Sequence, residues 1–199
     1  MLNRLWKDTA FAVIDVETTS FNRKRAYICE VACVTVRSEG ILTPECYQSL
    51  IDPGRRIDAD ATQLHGIDDE AVRYAPTFWQ QKTKFLSYLS GKIIVTHTSY
   101  DIGRLKRVLP DYEFPICLDS CRLARRVRRS RSGNSLPALI AEYGIDLLLR
   151  KHQIFSRQKP HCAGYDALAT AWLFGVLLYE RYPNATIGAL KEICGCKII

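Results

Sequence analysis

The chain has 199 residues, of which 47% are hydrophobic and 25% charged, with a net charge of +7. That is enough apolar material for one substantial core, so a single domain spanning 1–199 is expected. No run reaches the roughly 20 apolar residues that cross a bilayer, and the start MLNRLWKDTA lacks the apolar core of an export signal, so a cytoplasmic protein with no membrane partner is expected.

Strands come first. Phe11 to Val16, Tyr27 to Val36 and Tyr47 to Ile51 are rich in Val, Ile, Cys and Tyr and are separated by the turn material FNRKR and SEGILTP, which predicts an antiparallel meander. The period then changes: in TFWQQKTKFLSYL, the residues Phe78, Phe85, Leu86 and Leu89 fall on one helical face. A short strand is expected at Ile93 to Thr96, a helix at DIGRLKRVL ended by Pro110, a last strand at ICLD and a further helix at DSCRLARRV. Helices near Ser135 to Tyr143, Gly164 to Tyr182 and Ile187 to Cys194 close the chain. The pattern is α/β, with a mixed central sheet of about five strands flanked by helices.

Two compositional features bear on ligands. Of the eight cysteines, Cys29 and Cys33 lie in a strand-like apolar run, and the others do not repeat the CxxC spacing of a structural zinc site, so thiols are expected. The segment CRLARRVRRSRSGN carries Arg122, Arg125, Arg126, Arg128, Arg129 and Arg131 and no acid. Such a run binds a polyanion or is a solvated loop, and the residues alone do not choose between the two.

The stretch FAVIDVETTSF ends a hydrophobic strand in two acids at i, i+2. Alternation puts Asp15 and Glu17 on one face, where they repel unless something positive lies between them. Asp101 opens the helix after the fourth strand and Asp166 opens the long helix near the C-terminus, so these acids can converge outside the carboxyl ends of the strands. Carboxylates suit hard divalent cations such as Mg²⁺ or Mn²⁺, and two ions can bridge shared oxygens. Taken singly the signals are weak: a DxE pair occurs by chance about once in two chains with these 12 Asp and 9 Glu. Asp101 and Asp166 also read as helix N-caps. His161, five residues before Asp166, is placed to act as a base over the same acids or to serve the structure.

These segments resemble the DEDD superfamily of 3′-5′ exonucleases in its His variant, whose members include exonuclease X and polymerase proofreading subunits. DVETTSF is similar to the first motif, VTHTSYD to the second and HCAGYDALAT to the third, while IDPGRRI, QLHGIDDEAV and CLDSCRLARR resemble the connecting segments. The resemblance implies a ribonuclease H-like fold, two Mg²⁺ or Mn²⁺ ions held by Asp15, Glu17, Asp101 and Asp166, and His161 as general base. It implies a terminal-nucleotide site lined by Thr18, Thr19 and Phe21, with His65 in a connecting segment also assigned to the substrate. Arg125, Arg126, Arg128 and Arg129 are the candidate phosphate grips. The chain departs from the family pattern at Ser20, commonly Gly, at Thr96 and His97, commonly His-Asn, and at Cys162, often Arg; none of these is an implied metal ligand. The implied activity is release of nucleoside 5′-monophosphates from a single-stranded 3′ end, DNA above all. The alternatives are a proofreading subunit working with a separate polymerase and an RNA-trimming enzyme.

Overall fold

The computed structural model describes residues 1–152, 154, 155 and 159–196. Its strands in chain order are β1 (Phe11–Thr18), β2 (Ile28–Arg37), β3 (Gly40–Ile41), β4 (Tyr47–Leu50), β5 (Ile93–Thr96) and β6 (Cys117–Asp119). The helices are α1 (Ala59–His65), α2 (Asp69–Val72), α3 (Phe78–Leu89), α4 (Ser99–Val108), α5 (Ser120–Arg128), α6 (Leu136–Glu142), α7 (Ile145–Lys151), α8 (Ala163–Arg181) and α9 (Ile187–Cys194).

β1 is the centre of one six-stranded mixed sheet, apolar on both faces until its last residues. A strand of that kind needs helices on both sides. Its odd-numbered residues Phe11 and Val13 pack with Ala163, Ala167 and Phe174 of α8, and its even-numbered residues Ala12, Ile14 and Val16 pack with Phe85 of α3 and Ile102 and Leu105 of α4. Small residues at Ala163, Gly164, Ala167 and Ala171 give α8 a low-relief face, which lets it lie close to the sheet.

β2 pairs antiparallel with β1 and with both β3 and β4, whereas β5 and β6 run parallel to β1. The parallel set brings the carboxyl ends of β1, β5 and β6 to one edge, where ligands of open α/β sheets collect. The meander and the strand at Ile93–Thr96 stand where the sequence put them; the added strand is the two-residue β3 inside the expected turn. Three helices were not foreseen. α1, α2 and α7 span seven residues or fewer, too short for a face to repeat more than once.

Candidate active site

Asp15 and Glu17 emerge from the α8 side of β1 just as that helix begins. One carboxylate oxygen from each of Asp15, Glu17 and Asp166 lies within 4.8 Å of the other two. The register of β1 on β2 shifts between Glu17 and Thr18, so a bulge sits at the end of the motif, where bulges commonly re-aim side chains.

The other two residues arrive from the flanking helices. Thr98 caps α4 and Cys162 occupies the N-cap position of α8, which leaves Asp101 and Asp166 inside the first turns and disposes of the capping reading for both. Asp101, 5% exposed, accepts a hydrogen bond from the Val16 amide at 3.3 Å and so reaches round the end of β1 from the opposite face. Asp166 accepts from the His161 amide at 3.2 Å. His161 itself has φ 61°, a left-handed conformation uncommon for residues other than glycine and found where surrounding structure enforces it. Asp15, Glu17, Asp101, His161 and Asp166 together line one cleft of about 380 Å³, walled also by Arg23, His97, Tyr100 and Leu136.

The electrostatics follow from this crowding. Burial, then the neighbouring charges of Asp101, Asp166, Glu17 and Glu30, holds the Asp15 carboxyl well above the usual carboxylate range. Asp101 is pushed up to about 7, by burial first and partly offset by the Val16 amide. Asp166 is likewise pushed up to about 7 by burial, partly offset by the His161 amide and reinforced by Glu30. Carboxylates gathered at this cost form an all-oxygen donor set that fits a hard divalent cation, which removes the repulsion and the penalty of burial together.

Of the other expected site residues, Phe21 is 59% exposed and is therefore not a core residue. Thr18 is partly buried, its hydroxyl 3.0 Å from the Tyr100 hydroxyl. Thr19 is buried, and its hydroxyl accepts from the Tyr27 amide at 3.1 Å, stitching the loop after β1 rather than opening to the cleft. His65 is 1% exposed; its ring lies 3.3 Å from the Thr18 carbonyl and accepts from the Ile67 amide, bracing the strand end from behind.

The arginine run divides. Arg125 is exposed and stands close enough to His97 and Asp119 to act on both electrostatically. Arg128 is tied into the protein, with Glu142 at 2.9 Å and hydrogen bonds to the Ser132 and Gly133 carbonyls and the Asn134 side chain. Arg126 and Arg129, joined by Arg181 from the far end of α8, border a separate basin of about 510 Å³.

Three residues given no role from the sequence support the cleft. Glu30 lies opposite Glu17 in the sheet register, and its carboxylate accepts from the Ala163 amide at 2.9 Å and from Gln48 at 2.9 Å, anchoring the start of α8. His97 donates through Nε2 to the Asn134 carbonyl at 3.1 Å, and because burial lowers its pKa to about 4 the ring is a neutral wall whose Nδ1 accepts from the Ser120 hydroxyl at 2.9 Å. Tyr100 contributes its ring and hydroxyl. His97 and Tyr100 stand within VTHTSYD, so the motif itself was the available signal; Glu30 had none beyond an acid in an apolar strand.

The family model described as "Exonuclease" (RNase T) matches residues 12–174. The chain is 26% identical over 191 residues to the DNA polymerase III PolC-type of Streptococcus agalactiae, covering 94% of this chain and 12% of that one. It is 30% identical over 174 residues to a DNA polymerase III subunit epsilon-like protein of Rhodobacter capsulatus, covering 84% of this chain and 23% of the relative. The chain thus spans about an eighth of the first of these relatives and under a quarter of the second. A solved structure of exonuclease X in complex with 5′ overhanging duplex DNA superposes with TM-score 0.69 at 25% identity, covering 92% of this chain and 98% of that one. With the family match running through all three acidic segments and the fold shared, this chain belongs to the RNase T exonuclease family.

Proposed function

We propose that the chain hydrolyses nucleic acid from its 3′ end, DNA in preference, releasing nucleoside 5′-monophosphates. The observation that carries the reading is the meeting of four carboxylates and His161, drawn from three separate segments, in one cleft. Asp15, Glu17, Asp101 and Asp166 would hold two Mg²⁺ or Mn²⁺ ions. Bound there, such ions would supply Lewis acidity, making water easier to deprotonate and offsetting negative charge on the phosphate. His161 accepts the proton of the attacking water, whose oxygen bonds to phosphorus as the bond to the 3′ oxygen breaks; the product carries the 5′-phosphate and the strand keeps a new 3′ hydroxyl. The His161 amide fixes Asp166, Glu30 anchors the first residue of α8 through the Ala163 amide, and the Val16 amide fixes Asp101, so the acids are positioned before substrate arrives. Exposed Phe21 stands ready to stack on a base, and Arg125, Arg126 and Arg129 to hold phosphates.

A second reading, proofreading in company with a separate polymerase, is favoured by the PolC-type and epsilon-like relatives. One panel tests both. Pure protein is given 5′-labelled single-stranded DNA, duplex DNA and RNA with Mg²⁺, Mn²⁺ or EDTA. A ladder shortening from the 3′ end, abolished by EDTA, is expected on DNA; internal cuts or 5′ shortening overturn the proposal. Stable co-purification with a polymerase supports the subunit reading, and full activity alone supports the autonomous one.

A further inference from the structure

A second basic pocket is bordered by the residues that directly follow β1. It has a volume of about 160 Å³ and is lined by Thr19, Ser20, Arg25, Arg55, Arg56 and Asp58, sharing no residue with the carboxylate cleft. Three guanidinium groups face one carboxylate, and among the described residues none of the three has an acidic oxygen within 4 Å.

The pocket is built rather than incidental. The Arg55 guanidinium stacks on the Tyr27 ring, 3.3 Å from its centroid, which fixes the plane and leaves the edge N–H groups directed elsewhere. Tyr27 is pinned to Thr19 by two hydrogen bonds, its amide to the Thr19 hydroxyl at 3.1 Å and its carbonyl from the Thr19 amide at 2.9 Å. The loop that bears Arg25 is held from α4: Arg104 and Arg107 donate to the Arg23 and Ala26 carbonyls, and Arg107 also to that of Lys24. The opposite wall is fixed by the Asp58 amide, which donates to the Thr19 carbonyl at 2.9 Å. Thr19 lies two residues beyond Glu17 and the two pockets share no lining residue, so this one adjoins the reacting centre without entering it.

We propose that Arg25, Arg55 and Arg56 form a site for a phosphate group other than the one being cleaved, taken from the nucleic acid bound at the neighbouring cleft. Forked guanidinium groups match phosphate oxygens in geometry and charge, and the volume admits one tetrahedral anion with a little water. The phosphate comes from the cut strand or from the complementary strand of a duplex end. This inference rests on the exonuclease reading, and its test separates the two.

The measurement is fluorescence anisotropy with the cleavage-deficient Asp15→Asn protein as parent, carrying Arg55→Gln with Arg56→Gln, or Arg25→Gln alone. The probes are a single-stranded oligonucleotide and a duplex with a recessed 3′ end, each across a salt series. Both variants are expected to weaken binding about tenfold or more and to flatten the salt slope by about one contact. Loss on both probes assigns the phosphate to the cut strand; loss on the duplex alone assigns it to the complement. Unchanged affinity and slope on both probes overturn the site. Arg55→Lys, which keeps the charge but not the fork, should fall between the two. In the otherwise wild-type protein the same changes should raise KM and leave kcat; if the unsubstituted wild-type protein shortens neither probe, the exonuclease reading fails, while the binding series still decides the pocket.

Discussion

Replacing Asp101 by Asn should make the metal-free protein more stable while disabling it. The unfolded carboxyl titrates near 3.9 and the folded one at about 7, a rise of about three pH units worth roughly 4 kcal/mol. A folded pKa above the unfolded one means that the folded state holds the extra proton. The stability this lends is complete below about pH 4 and is lost as pH rises to 7. At pH 8 the wild-type chain therefore carries most of that cost. Asn stands in for the protonated acid and removes that cost; the folded value of about 7 already contains the Val16 amide's bond to the carboxylate, so that bond takes nothing further from the gain. The gain of about 4 kcal/mol corresponds to a Tm roughly 8–16 °C higher in EDTA at pH 8, shrinking towards zero at pH 4. Thermal unfolding from pH 4 to 8, with EDTA or excess Mn²⁺, reads this directly. Wild type should gain most from Mn²⁺ at high pH and the variant much less. A variant with unchanged or lower Tm at pH 8 in EDTA, or with the full Mn²⁺ response, refutes the reasoning.

Three further outcomes are expected. His161→Asn, chosen because Asn tolerates the left-handed backbone, should lower kcat by about 10²- to 10⁴-fold with little change in substrate affinity, measured by saturated turnover beside equilibrium binding. Glu30→Gln should loosen the start of α8, lowering kcat and raising amide exchange at Ala163 while the far end of the helix keeps its protection. Arg128→Gln should cost about 1–2 kcal/mol in denaturant unfolding, because it ties down the loop before α6, whereas Arg126→Gln with Arg129→Gln should leave stability alone and flatten the salt dependence of binding.

Much of the architecture was legible because β1, β2 and α8 are long or strongly apolar, and their acids interrupt runs that would otherwise be pure core. The same contrast marked Asp15, Glu17 and Asp166. What escaped was decided by partners distant in sequence. His65 and Thr19, assigned to the substrate by resemblance, are turned inward because α1 folds against the end of β1. The six arginines between Cys121 and Asn134 are equivalent as letters, yet α5 ends near Arg128 and points it at Glu142 and its own loop, leaving its neighbours outside. Glu30 was hidden because an acid on a buried strand makes sense only when the first amide of α8 comes to meet it.

The central claim is that the clustered acids exist to hold cations for cleavage, and Asp15 stands in the middle of them. Isothermal calorimetry of Mn²⁺ binding, run on wild type and on Asp15→Asn with cleavage of a 5′-labelled oligonucleotide assayed on the same samples, tests it most directly. Two ions per chain with a ladder from the 3′ end are expected for wild type, and weakened or absent binding with no ladder for the variant, whose affinity for the oligonucleotide largely survives. Wild-type cleavage by Asp15→Asn, or a ladder that persists in EDTA, would contradict it.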